Sequence, residues 1–109
     1  MSISRDYKET INERVVNDPI FTAALLDEAI TLFLNGEPDV ARLVLRDLVN
    51  ATLGFEDLAI EIERPSKSLH RMLSARGNPT MDNLTKIICV LRERLGLDVK
   101  VHTSPKCVA

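Results

Sequence analysis

The sequence predicts a mainly α domain of five helices with a short β-strand at its C-terminal end, and three observations predict it. All four glycines follow a run with helical spacing. Four of the five prolines stand where the next helix should begin. Within the segments so marked out, apolar residues recur every three or four positions. At 109 residues the chain can bury one core of its own and is too short for two, so 1–109 reads as a single domain. Its 45% hydrophobic and 28% charged residues are the proportions of a folded globular protein, not of a disordered tail.

The elements follow in chain order. Residues 1–17 form an N-terminal segment with two readings: Tyr7, Ile11 and Val15 are spaced for a helix, whereas 11–16 can equally run extended. Pro19 behind Asp18 opens a first helix at about 19–35, with Ile20, Ala24, Ile30 and Leu34 near one stripe and Phe21, Leu25 and Phe33 beside it. Pro38 behind Glu37 opens a second at about 38–53, with Val40, Leu43, Val44, Leu48 and Val49 inward and Arg42, Arg46 and Asn50 on the wet side. A short helix is expected at about 55–63, another at 66–76 after Pro65, and a longer one at 81–95 after Pro79 and Thr80. The last has Leu84, Ile87, Ile88, Leu91 and Leu95 in phase. Gly36, Gly54, Gly77 and Gly96 each read as a left-handed cap behind a helix. Residues 97–102, Leu-Asp-Val-Lys-Val-His, alternate apolar and polar as a half-buried strand does. That strand needs a partner: the N-terminal stretch, the same strand of a symmetry mate, or another protein's edge. Residues 103–109 read as a flexible tail.

Charge separates the two halves. The formal net charge is −2, which taken alone argues against nucleic acid. Residues 1–63 carry thirteen acids and five bases, however, and residues 64–109 three acids and nine bases. The balances of −8 and +6 point to two faces with different partners.

Several classes are excluded. No basic start leads into an uninterrupted apolar run, because Asp27 and Glu28 interrupt 21–34, so neither a signal peptide nor a membrane span is expected and the chain is placed in the cytoplasm. Cys89 and Cys107 lack any C-x-x-C spacing and would remain thiols there, Cys89 as core filler and Cys107 in the tail. Tyr7, Phe21, Phe33 and Phe55 are too few for a base-stacking platform on single strands. His70, His102, Cys89 and Cys107 lack clustered ligand spacing, so no metal and no cofactor is expected, and His102 is given no role. No nucleophile elbow, H-E-x-x-H or phosphate-binding glycine loop is present, so the chain is not read as an enzyme. Asp27 with Glu28, and Asp57 with Glu61, are paired carboxylates with no evident donor and read as solvated helix faces.

The chemistry-bearing stretch lies between Phe55 and Leu73. Leu58-Ala59 and Ile62 precede a break at Arg64-Pro65, and Leu69, Met72 and Leu73 follow it. The small Ala59 admits a close crossing, and the apolar set locks two helices together about a turn at about 55–76. The outward face of the second helix is then Ser66, Lys67, His70, Arg71 and Ser74, rich in donors and free of carboxylates. That composition suits the major groove of DNA.

Together with Gly77-Asn78-Pro79, Met81 and Leu84, this run resembles the HigA-like addiction module antidote proteins of the Xre/lambda-repressor helix-turn-helix superfamily. The resemblance extends upstream through Asp18-Pro19, Gly36-Glu37-Pro38 and Leu45-Arg46-Asp47, and downstream to 97–101, covering roughly residues 15–101. It implies a lambda-repressor-like core at 38–95, a homodimer on double-stranded operator DNA, and a partner toxin of the HigB/RelE type that the protein neutralises while repressing the shared operon. By the same resemblance the recognition helix begins at Ser66, with Ser66, Lys67, His70 and Arg71 facing bases, and Arg64, Ser68, Ser74, Asn78 and Thr80 facing phosphate. The chain departs from the family's pattern at the turn. Glu63 stands where glycine is usual, Arg64 where an apolar residue is usual, and Pro65 where a Ser or Thr cap is usual. A non-glycine residue in a left-handed turn costs about 1 kcal/mol, so a differently shaped turn or a longer first helix is expected.

Two functional classes remain, each weighed against a plainly solvated helix face for Lys67 and Arg71 and an ordinary surface histidine at 70. One is a DNA-binding antitoxin and autorepressor. The other is a helical interaction module that binds a partner protein without touching DNA. The acidic first half suits a basic toxin in both.

Overall fold

The computed structural model describes residues 18–107. Among them are five helices: α1 (Pro19–Leu34), α2 (Pro38–Ala51), α3 (Gly54–Ile62), α4 (Ser66–Met72) and α5 (Met81–Arg94). The mainly α class holds, with bounds close to expectation except in α4. The two readings of residues 1–17, and the end of the tail at 108–109, lie outside the described residues.

Each helix starts where the sequence supplies a reason. At α1 the carboxylate of Asp18 accepts from the backbone N–H of Ile20 (3.1 Å) and Phe21 (3.2 Å), while Pro19 gives up an N–H that would have had no intrahelical partner. At α5 the hydroxyl oxygen of Thr80 accepts from the N–H of Asn83 at 3.1 Å. Three helices end in one pattern. After α1 Gly36 takes φ 83°, and the Glu37 N–H reaches back to the Leu32 carbonyl. After α5 Gly96 takes φ 65°, and the Leu97 N–H reaches the Arg92 carbonyl. After α3 the same left-handed position belongs to Glu63, with φ 61° and ψ 46°, and the Arg64 N–H reaches the Ala59 carbonyl at 3.1 Å. The turn therefore has neither the different shape nor the longer first helix that its missing glycine led us to expect. A cap hydrogen bond of the kind glycine usually supports is made with a glutamate.

Two glycines act otherwise than as caps. Gly54, with φ 82°, opens α3 instead of closing α2, which ends at Ala51 with Thr52 as its cap. Gly77 does not take a positive φ; a Cβ there would run into the carbonyl oxygens of Arg71 and Met72. Close approach explains the glycine, and it also explains why α4 stops at Met72 instead of continuing to 76. The chain folds back across the end of the helix, with Ser74 N–H on the Arg71 carbonyl and Gly77 N–H on the Ser74 carbonyl.

The core draws on every helix: Leu26 and Ala29 from α1, Leu45, Leu48 and Val49 from α2, Phe55 and Leu58 from α3, Leu69 from α4, and Ile87 and Leu91 from α5, with Leu73 just beyond α4. In α5 the predicted face is the buried one. In α2 the face is shifted, since Ala41 and Leu45 are buried while Val40 is 43% exposed. In α1 the expected stripe holds only in part: Ile30, with Phe21, Leu25 and Phe33 beside it, packs half-buried against the core. Thr22, Leu26 and Ala29 face inward, whereas Ile20 is 82% and Leu34 69% exposed. Cys89, expected as core filler, is exposed, because it lies about 200° round α5 from buried Ile87.

No strand forms at residues 97–102. The segment has no regular secondary structure, since a strand exists only as half of a ladder and no second strand occurs among the described residues. It lies beside α1 instead, across an open groove.

Candidate nucleic-acid interface

Helices α3 and α4 pack together through the turn at Glu63, Arg64 and Pro65. Leu58 and Leu69 are fully buried beneath them and Leu73 anchors the exit, so the underside of α4 is fixed by apolar contact. Pro65, at φ −60° and ψ 141°, sets α4 off at once, and its carbonyl accepts from the N–H of Ser68 and of Leu69. With Leu69 inward, Lys67, His70 and Arg71 are exposed, and Ser66 and Ser68 are half-buried. No carboxylate occurs in α4, and its last turn carries His70 and Arg71, which complement the negative end of the helix.

The assigned residues divide into groups. Ser68, Arg71 and Asn78 come together with Met72 around a shallow depression of about 230 Å³ on the outer side of α4. Two residues assigned to phosphate and one assigned to bases thus share one small concavity. Lys67 stands exposed on the same helix, and Arg64 is exposed in the turn beside exposed Glu63. Ser74 serves the helix locally, because its hydroxyl donates to the Arg71 carbonyl at 2.7 Å and closes the end of α4. Thr80 uses its oxygen to cap α5, which leaves the O–H able to donate outward. His70 is exposed, yet its ring stacks on buried Phe55, with centroids 3.8 Å apart and planes 21° apart. The stack holds the imidazole in one orientation and ties α4 to the start of α3.

Arg42, expected on the wet side of α2, has a structural role. Its guanidinium donates through Nε to the Ser74 carbonyl (2.9 Å) and through Nη2 to the Ala75 carbonyl (2.7 Å). It thereby fixes the chain as it leaves α4, satisfying carbonyls beyond the helix end. Local spacing carries no signal for this contact, because its partners lie 32 and 33 residues away. Asp57 and Glu61, expected to lack a donor, have one in Arg94. Its Nη1 donates to Glu61 at 2.8 Å and its Nη2 lies 4.0 Å from Asp57, joining α3 to α5.

The surface so assembled has a short basic helix on a buried apolar floor, a hydrogen-bonded exit, and donors of several lengths directed away from the core. No family model, characterised protein or solved structure matches the chain. Among the described residues no three His, Cys, Asp or Glu side chains converge on a metal-sized site, and no helix is long and apolar enough to cross a membrane. What the arrangement can do is donate hydrogen bonds and positive charge to an anionic, acceptor-rich ligand. Arg71 can make a paired contact with a guanine edge or a phosphate, and Lys67 can supply a point charge.

Proposed function

We propose that the chain is a DNA-binding antitoxin and autorepressor with a lambda-repressor-like helix-turn-helix. As a homodimer it places α4 in the major groove of its operator, and through its acidic first half it neutralises a basic toxin of the HigB/RelE type. The observation that carries this reading is α4 itself: Lys67, His70 and Arg71 are exposed on a helix without carboxylates, while Leu69 on its opposite side is fully buried. Glu63 in the left-handed position supports it as well, because the α3–α4 turn closes without the glycine usual in the family.

Lys67, Arg71 and an oriented His70 read base edges, while Arg64, Ser68, Asn78 and Thr80 hold phosphates. Ser74 contributes indirectly, by closing the helix. Recognition helices of the two subunits engage half-sites about 34 Å apart, one turn of B-DNA. In a gel-shift titration at low salt, the protein should prefer duplex from immediately upstream of its own gene over a scrambled duplex of equal length. The double variant Lys67→Ala with Arg71→Ala should lose that preference and keep its helical circular dichroism. Equal binding of both duplexes by the unaltered protein would refute the reading, and toxin binding without any duplex binding would establish the protein-only interaction module instead.

A further inference from the structure

The outward side of α1 and residues 97–103 form the two walls of an open groove of about 770 Å³. One wall exposes Ile20 and Leu34, and the other Val99 and Val101, at 40% and 59% exposure. From Asp98 to His102 the backbone makes no hydrogen bond to any other described residue. Unpaired peptide groups beside exposed apolar side chains are the setting in which a strand is added from outside.

The segment itself indicates which strand that is. In an antiparallel pair about a two-fold axis normal to the ribbon, facing residues lie on the same side, so the axis passes at a residue position. With the axis at Val99, Leu97 faces Val101 of the second copy, Val99 faces its own equivalent, and Asp98 faces Lys100 in both directions. One side of the ribbon is then entirely apolar, and each charge on the other side meets its opposite. With the axis at Lys100, two lysines face each other at the centre. The sequence is self-complementary in the first register and self-repelling in the second.

We infer that residues 97–101 pair antiparallel with the same residues of a second copy, with the two-fold axis at Val99, and that the apolar rows of this ribbon cover the α1 grooves. This deepens the homodimer invoked above, rests on that part of the reading, and states which surface makes the dimer.

The test uses the full chain without DNA, with Cys89→Ser and Cys107→Ser to remove the exposed native thiols. Light scattering should give twice the 12.2 kDa chain mass. Lys100→Asp puts carboxylates opposite each other twice and should weaken dimerisation by roughly tenfold or more; Asp98→Lys combined with Lys100→Asp should restore it. Val99→Cys, facing itself, should form an intermolecular disulfide under mild oxidation, whereas Lys100→Cys should not. A monomeric parent, a dimer indifferent to Lys100→Asp, or cross-linking at 100 in preference to 99 would each overturn the inference. Promoter binding is read separately by gel shift, so a dimer formed elsewhere that still prefers its promoter would remove this interface and leave the DNA-binding reading standing.

Discussion

Helices α1 and α4 each leave one face uncovered, and the two faces are chemically opposite. Helix α4 is short, shows Lys67, His70 and Arg71 to solvent, and buries Leu69 completely. Helix α1 is more than twice as long, buries Leu26 and Ala29, and still shows Ile20 and Leu34. A charged open face is what a soluble domain would have in any case and becomes a site through geometry. An apolar open face costs hydration free energy wherever it stays open, so it points to a covering surface. On the proposed reading the difference would separate two modes of recognition on one small protein: hydrogen-bonded readout through α4 and apolar burial beside α1.

The largest effect that could break this comparison is on stability. In the Lys100→Asp background, at protein concentrations below its weakened dimerisation constant, Leu69→Ala should cost about 2–5 kcal/mol in urea unfolding, and Leu34→Ala within about 0.5 kcal/mol. Equal costs would mean that α1 buries its Leu34 face after all. Next in size is the support of α4. Arg42→Ala removes two hydrogen bonds to carbonyls at a half-buried position and should cost about 1–2 kcal/mol. Amide exchange should quicken at residues 73–77 more than in α1 or α5, and a uniform change would place the role of Arg42 elsewhere. Smallest is the turn. Glu63→Gly relieves a left-handed residue at φ 61° but adds freedom to the unfolded chain, so a gain of about 0.5–1 kcal/mol is expected. Thermal denaturation that shows a loss instead would mean that the Glu63 side chain makes a stabilising contact.

How much of this was legible in the sequence differs from helix to helix. In α5, charges at Lys86, Arg92 and Arg94 interrupt the apolar residues and mark the wet side, so period 3.6 finds the buried face. In α1 only Asp27 and Glu28 are charged, and apolar residues occur almost all round. Spacing then fits several faces equally, and the choice falls to tertiary contacts with α2. The start of α4 was legible from Pro65, but its end was not, because the chain folds back through Gly77 and is gripped by Arg42 from a distant part of the sequence. The exposed set on α4 followed from Leu69 and Leu73 alone. The capping role of Ser74, the stack of His70 on Phe55 and the donor that meets Asp57 and Glu61 required three dimensions. Residues 97–102 read as a strand because alternation reports a preference for pairing, and a single chain supplies no partner among its described residues.

The most direct test of α4 as a reader of DNA is the salt dependence of promoter binding, followed by fluorescence anisotropy for the parent and for Lys67→Ala and Arg71→Ala separately. A side chain that reads a base should, when removed, lower affinity for the promoter by about 1–3 kcal/mol and erase preference at one position, with little change in the slope of log K against log salt. A side chain that only neutralises a phosphate should lower the slope by about 0.9 and weaken all sequences alike. The account predicts the first behaviour for both residues. Uniform weakening of all sequences with a lower slope, or affinity and slope unchanged, in both variants would contradict it.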